Sequence, residues 1–208
     1  MAGPARTPTR SKHLDLERRA FLDLLRMSNA MVAPKALAHQ LVVLAQHLSD
    51  CEAVAIRLKS GPGFPYAATL GFSERSLGLE DNLCAKDEQG LLLRDAHRQP
   101  VLDCLCGRVL MGRINHVHPC ITDKGSFVTP STTELLAMTE AEILGPTRNR
   151  CHAAGYETVG LFPIRREAVT YGLIQCNDRR PGRLTVGSID LMENLASTAA
   201  HLFQQAMA

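Results

Sequence analysis

ETVGLFPIRREAVTYGLIQCND, residues 157–178, decides the fold. Its two apolar runs, ETVGLFPIR and AVTYGLIQCND, are rich in β-branched and aromatic residues. The short turn between them at Arg166, Glu167 and Ala168 predicts an antiparallel hairpin. Downstream, NDRRPGR reads as a polar turn. The last helix, expected over 186–207, places Ile189, Met192, Leu195, Ala196, Ala199, Leu202 and Phe203 on one face. Upstream, PSTTELLAMTEAEIL predicts a helix with Ser131 as N-cap and Glu134 completing a capping box. Thr147 is placed to cap a second short helix over RNRCHAAG.

Nearer the start, Leu14, Phe21, Leu24, Leu25 and Met31 recur at helical spacing, and Pro34 breaks the pattern. A second helix, expected over 35–48, aligns Leu37, Leu41, Leu44, Ala45 and Leu48. CEAVAIRLKS alternates as a half-buried strand would. The Gly61-Pro62-Gly63 turn joins it to PYAATLGF as another hairpin. Between Ser73 and Phe127 regular pattern is poor, and loops of this length in a compact domain usually carry function. The order predicts an α+β domain: an antiparallel sheet of about six strands, with terminal helices on one face. Loops and short helices enclose a ligand pocket on the other.

At 208 residues there is room for one core. No run reaches the roughly 18 apolar residues that span a membrane, so no membrane partner is expected. A net charge of +2 is too small to imply nucleic-acid binding, although the first 13 residues form a basic tail expected to be disordered. That tail lacks the apolar core of a signal peptide. The seven cysteines therefore point to a reducing compartment, by default the cytoplasm, rather than to a disulfide framework.

Four of those cysteines, Cys84, Cys104, Cys106 and Cys151, fall within the poorly patterned middle. If VLDCLCGRV is extended, Cys104 and Cys106 point the same way and are placed to clamp one soft metal or form a reducible disulfide. Four thiolates suffice for tetrahedral zinc or an iron–sulfur cluster, with haem as a further branch. Cysteine is also among the most buried residue types, so plain core packing is the alternative, as it is for Cys51 and Cys176. His116, His118 and Cys120 form a compact H-x-H-x-C trio that reads either as a metal site or as a solvated loop. The helix starts at Thr132, Thr133 and Glu134 and beside Arg148 and Arg150 are placed to hold a carboxylate or phosphate; ordinary capping is the other reading. No pattern pairs a nucleophile with its base.

GLFPIRREAVTYGLIQCNDRRPGRLTVGSIDLMENLASTAAHLFQQA resembles the C-terminal third of a GAF domain, a small-molecule sensing module, and the general resemblance spans about residues 36–207. NLCAKD, VLDCLCG, STTELL and TRNRC look like a cysteine-bearing subgroup of bacterial and archaeal sensory proteins. The resemblance implies a sensory domain over 35–208, preceded by a signalling or dimerisation helix over 14–34. It also implies homodimerisation through flanking helices and a separate kinase or regulator as output. An enzyme of the same fold reduces free methionine sulfoxide with cysteines, so a thiol reductase is the enzymatic alternative.

Overall fold

The computed structural model describes residues 32–74, 77–78, 83–114, 117–138 and 148–207, together with Arg19, Leu22, Leu24 and Arg26, which are helical. The basic tail, most of the helix expected over 14–34, His116 and Thr147 fall outside these residues.

Helix α1, Pro34–Ser49, leads into strands β1, Ala53–Leu58, and β2, Tyr66–Leu70. Helix α2 is Cys104–Met111, strand β3 is Phe127–Thr129, and two single-turn helices follow, α3 at Thr132–Leu136 and α4 at Arg150–Ala153. The hairpin read from 157–178 forms strands β4, Thr158–Arg166, and β5, Val169–Asp178, and the chain closes with α5, Val186–Ala206. Described residues contribute five strands rather than about six, in the order β2-β1-β5-β4-β3, every neighbour antiparallel. Pro163 is accommodated in β4 because β3 pairs only with Val159 to Leu161, leaving that edge without a ladder to break.

Strand alternation sends Val54, Ile56, Phe162, Ile164, Ile174 and Cys176 to one face. There the apolar stripes of α1 and α5 cover them, and Leu41, Met192, Ala199 and Phe203 have almost no exposure. The opposite face carries Ala53, Phe127, Val159, Leu161 and Leu173, covered by Leu83, Cys106, Leu110 and Leu135 from the middle of the chain. Both faces are roofed, so β1 is buried along its whole length rather than half-buried, and Arg57 lies inside with it. Gly172 allows β5 to approach β1, since a Cβ there would fall 2.0 Å from the Arg57 carbonyl oxygen.

The middle segment is ordered more tightly than its composition suggests. Ala85, Leu93 and Val101 close a ring of backbone hydrogen bonds: Ala85 N–H donates to Val101, Val101 to Leu93, and Leu93 to Ala85, at 2.8, 2.9 and 2.9 Å. Each corner residue is followed two positions later by an aspartate, and Asp87, Asp95 and Asp103 recur every eight residues. Asp87 and Asp95 each close their loop by accepting two backbone N–H groups through Oδ1. The third step delivers Asp103 to the start of α2. VLDCLCGRV is therefore largely helical, not extended. Gly107 reads as a helix breaker, but a Cβ there would lie 2.5 Å from Leu102 Cβ, and its absence lets the incoming chain pack on the helix.

The end of β5 is tied to the start of β1 by Asp178, whose side chain is fully buried and accepts from Glu52 N–H, Arg180 N–H and the Arg180 guanidinium. Burial pushes its carboxyl up, but the hydrogen bonds from Arg180 and Glu52 outweigh it and hold the group below the ordinary carboxylate range. A carboxyl whose folded pKa lies below its unfolded value of about 3.9 stabilises fully above that value and loses its contribution as pH falls through the folded pKa. Asp178→Asn should therefore cost about 2–3 kcal/mol at pH 7, less than a fully buried pair because Arg180 is largely exposed. In urea titrations the gap to the natural chain should narrow below about pH 4; an equal gap at pH 7 and pH 3 would refute it.

Candidate functional site

Cys104 opens α2 with a φ of 70°. The left-handed region costs a non-glycine residue about 1–2 kcal/mol, and such strain gathers at functional sites. Gly112, also left-handed, ends the helix and donates to the Arg108 and Val109 carbonyls. Two residues within a regular helix point about 200° apart. Cys104 escapes that geometry through its backbone, and both Cys104 and Cys106 line one cavity.

Cys151, on α4, lines the same cavity from the other side. The floor is Phe127, Val159 and Leu161 from β3 and β4, and Thr132, Leu135 and Arg150 complete the wall. Its volume is about 40 Å³. One water needs roughly 10–15 Å³ on this measure, so the space suits an ion or a molecule of a few heavy atoms rather than a nucleotide. Cys84 lies elsewhere: its thiol faces the Pro62 carbonyl oxygen at 3.7 Å, and it does not line the cavity. The thiols are of the soft type that zinc or iron prefers. Among the described residues, however, no group of three or more His, Cys, Asp or Glu is arranged to hold a metal ion.

Arg148 forms an ion pair with Asp103 at 3.0 Å, joining the TRNRC motif to the VLDC motif. Ser131 caps α3 by accepting from Glu134 N–H. The reciprocal half of the expected capping box is replaced, because Ser131 N–H donates to the Thr129 hydroxyl and the Glu134 side chain is exposed. Thr133 is turned toward an internal anion: Glu157 accepts from its hydroxyl at 2.6 Å, from its N–H at 3.2 Å, and from the Ser131 hydroxyl at 2.8 Å. Hydrogen bonds from Thr133, then Ser131, hold the Glu157 carboxyl below its ordinary range. Thr132 faces the cavity, donates to the Tyr156 carbonyl and meets His152 Nδ1 at 3.0 Å. In the H-x-H-x-C segment, His118 Nδ1 accepts from Cys120 N–H, so this buried pair is used locally.

Three further polar residues lie on the covered sheet face, unmarked by any motif. Arg57, Gln175 and Asn177 have 0%, 1% and 0% exposure. Arg57 donates to the Phe64 carbonyl and lies 3.6 Å from the centre of the Tyr66 ring. Tyr66 donates to Gln175 Oε1 at 3.3 Å. Gln175 Nε2 donates to Asn177 Oδ1 at 3.1 Å and faces Cys151 Sγ at 3.8 Å. The only sequence signal was parity: these residues share a strand face with Ala53, Val159 and Leu161.

The arrangement of the sheet and its covering helices is similar to that of several solved structures. The GAF domain of an Acinetobacter phosphoenolpyruvate-protein phosphotransferase aligns with a TM-score of 0.60 at 12% identity, over 96% of this chain and 96% of that one. The chain has the GAF fold. The GAF domain of a putative sensor histidine kinase from Pseudomonas syringae pv. tomato aligns at 0.53 and 12%, over 96% and 90%. Free methionine-R-sulfoxide reductase from Neisseria meningitidis, solved with its substrate, aligns at 0.60 and 8%, over 100% and 98%. No family model matches the chain, and no curated protein matches its sequence.

None of the seven cysteines of this GAF fold is in a disulfide, and six are buried. The Cys106 thiol is pushed well above its ordinary value, first by its hydrogen bond with Cys104 and then by burial; the Arg57 charge opposes this. Burial pushes Cys176 well up and Cys84 and Cys120 up. Limited alkylation at pH 7.5 followed by peptide mass mapping should therefore label Cys151 first, at least tenfold faster than Cys106 or Cys176. Equal labelling of Cys106 and Cys151 would contradict this arrangement.

Proposed function

We propose that this is a sensory GAF domain whose ligand is held in the cavity between α2 and α4, with Cys104, Cys106 and Cys151 as its contacts. The observation that carries the reading is the meeting of these thiols, from two segments 45 residues apart between Cys106 and Cys151, on one small cavity. Sensor and regulatory proteins of the same fold support it. The soft thiols favour zinc or the iron of an iron–sulfur cluster, with haem as a further candidate. Ligation would require the three thiols to draw closer, since they line the cavity without forming a metal-ready group, and a four-thiolate site would also require Cys84 to move in from beside Pro62. Ligation requires thiolates, so binding strengthens as pH rises. Arg148 ties the two cysteine-bearing segments together, and Thr132 and Arg150 shape the wall. Thr133 and Glu134 act through the α3 start, where Glu157 occupies the anion position. Output runs through the terminal helices, as a homodimer acting on a separate kinase or regulator. The protein works in the cytoplasm.

A second reading, a thiol reductase, is favoured by the full-length likeness to the Neisseria enzyme together with three thiols at one cavity. In that reading one cysteine attacks the oxidised substrate and another resolves it.

One preparation separates the two. Protein purified without oxygen should contain about one metal ion or cluster per chain by elemental analysis and absorption, lost in Cys106→Ser and Cys151→Ser. Retention in Cys84→Ser would mean three thiolates suffice. Metal-free protein with freely titratable thiols that turns over methionine sulfoxide would overturn the sensor reading in favour of the reductase.

A further inference from the structure

The polar residues on the covered sheet face form a directed chain with one open end. The Tyr66 hydroxyl donates to Gln175 Oε1, and Gln175 Nε2 donates to Asn177 Oδ1 and faces Cys151 Sγ. These contacts use both faces of the Gln175 amide and fix its orientation. They also fix Asn177: its oxygen is taken, so its nitrogen is the group left to meet something else. Asn177 is fully buried, and its Nδ2 has no hydrogen-bond partner among the described residues. A buried amide donor left without an acceptor costs about 1–3 kcal/mol, which native structures rarely tolerate without a reason.

Its position supplies the reason. Asn177 pairs across the ladder with Val159, whose side chain lines the thiol cavity; Asn177 does not itself line that cavity but stands one strand, about 4.8 Å, from its floor on the same sheet face, linked to the cavity wall through Gln175 and Cys151. On its other side it pairs with Ala53, whose small side chain leaves that row low. We infer that Asn177 is a ligand-recognition residue, presenting its Nδ2 donor to a carbonyl or carboxylate oxygen of a small organic molecule bound beside Cys151. The chain of amides sets the polarity of the site: it accepts oxygen acceptors and rejects molecules that bring only donors. Tyr66 and Gln175 are positioning residues that hold the Asn177 amide in the donor-outward sense. The inference deepens the sensory reading by naming the chemistry of the ligand, and it rests on that reading for the choice of face.

The experiment is a titration of the full chain, labelled with nitrogen-15, following the side-chain amide signals of Asn177. Asn177→Leu identifies those signals by their loss. Acetamide and acetate are the acceptor probes and ethylammonium is the donor-only control. Acetamide, acetate or both should shift the Asn177 signals with a millimolar dissociation constant, the order expected of a probe of about four heavy atoms; ethylammonium should leave them unmoved. The two acceptor arms tell a neutral carbonyl from an anionic site. Followed at the Gln175 side-chain amide, Asn177→Leu should weaken binding at least tenfold, and Tyr66→Phe, which frees the Gln175 amide to turn, should weaken it less. If Asn177→Leu does not fold, Asn177→Asp identifies the signals by the same loss, and Tyr66→Phe and the natural chain carry the test. Unmoved Asn177 signals with both acceptor probes, or equal shifts with ethylammonium, would overturn the inference and leave a buried water as the partner. Cadmium titrated into the same sample, read by thiolate absorption near 240 nm, reports on the thiols separately. Cadmium binding without a probe response sinks the inference alone, and a probe response without cadmium binding sinks the thiol-ligand reading alone.

Discussion

The constraint on which this structure depends is that the sheet is covered on both faces. In an antiparallel sheet with one wet face, alternating residues separate cleanly into core and solvent. Here α1 and α5 seal one side and the segment from Leu83 to Leu135 seals the other, so no position in β1 reaches water. Every polar side chain on the second face must then be satisfied from within. Arg57 meets that demand through the Phe64 carbonyl and the Tyr66 ring, and Gln175 through Tyr66 and Asn177, but the chain of donors ends at Asn177 Nδ2, which meets no acceptor among the described residues. The site is a product of this enclosure. A wet sheet face would have left the same residues solvated and without direction.

That enclosure also explains which parts could be read from the sequence. The β4–β5 hairpin was legible because both runs are buried on both faces and so appear as near-continuous apolar stretches. The α1 and α5 stripes were legible because each helix has one wet side. Arg57 was not: in CEAVAIRLKS it takes the place of a solvent-facing residue, and only the tertiary cover reveals that its face is closed. The winding from Ala85 to Val101 was missed for a different reason. Its eight-residue period matches neither a strand nor a helix, and its order resides in backbone hydrogen bonds and Asp loops rather than in an apolar face. Helix α2 was hidden by Gly107, whose role is to admit Leu102.

The four cysteines sort by the same logic. Cys104, Cys106 and Cys151 stand where the cover meets the sheet, and the contact of Cys151 with Gln175 makes the thiol wall continuous with the amide chain. Cys84, in the first turn of the winding, is held toward the Gly61-Pro62-Gly63 loop; its thiol lies against the position a Gly63 Cβ would occupy. Spacing alone carries no information about which of four thiols meet, because convergence is decided by the backbone between them. The left-handed Cys104 and the eight-residue steps set that path here.

Both covers report to one place, the tip of the β4–β5 hairpin. Adjacent residues of a strand point to opposite faces, and Arg165 and Arg166 do so. Arg165 donates to the Val109 and Leu110 carbonyls at the end of α2, at 2.7 and 3.0 Å, and its Nε donates to Thr170 across the hairpin. Arg166 reaches the opposite cover, contacting His201 Nδ1 and Gln204 Oε1 of α5. The helix that carries Cys104 and Cys106 is thus bound at its far end to a strand whose next residue holds the C-terminal helix. The covers of the two faces, chemically separate, are thus contacted from two consecutive residues.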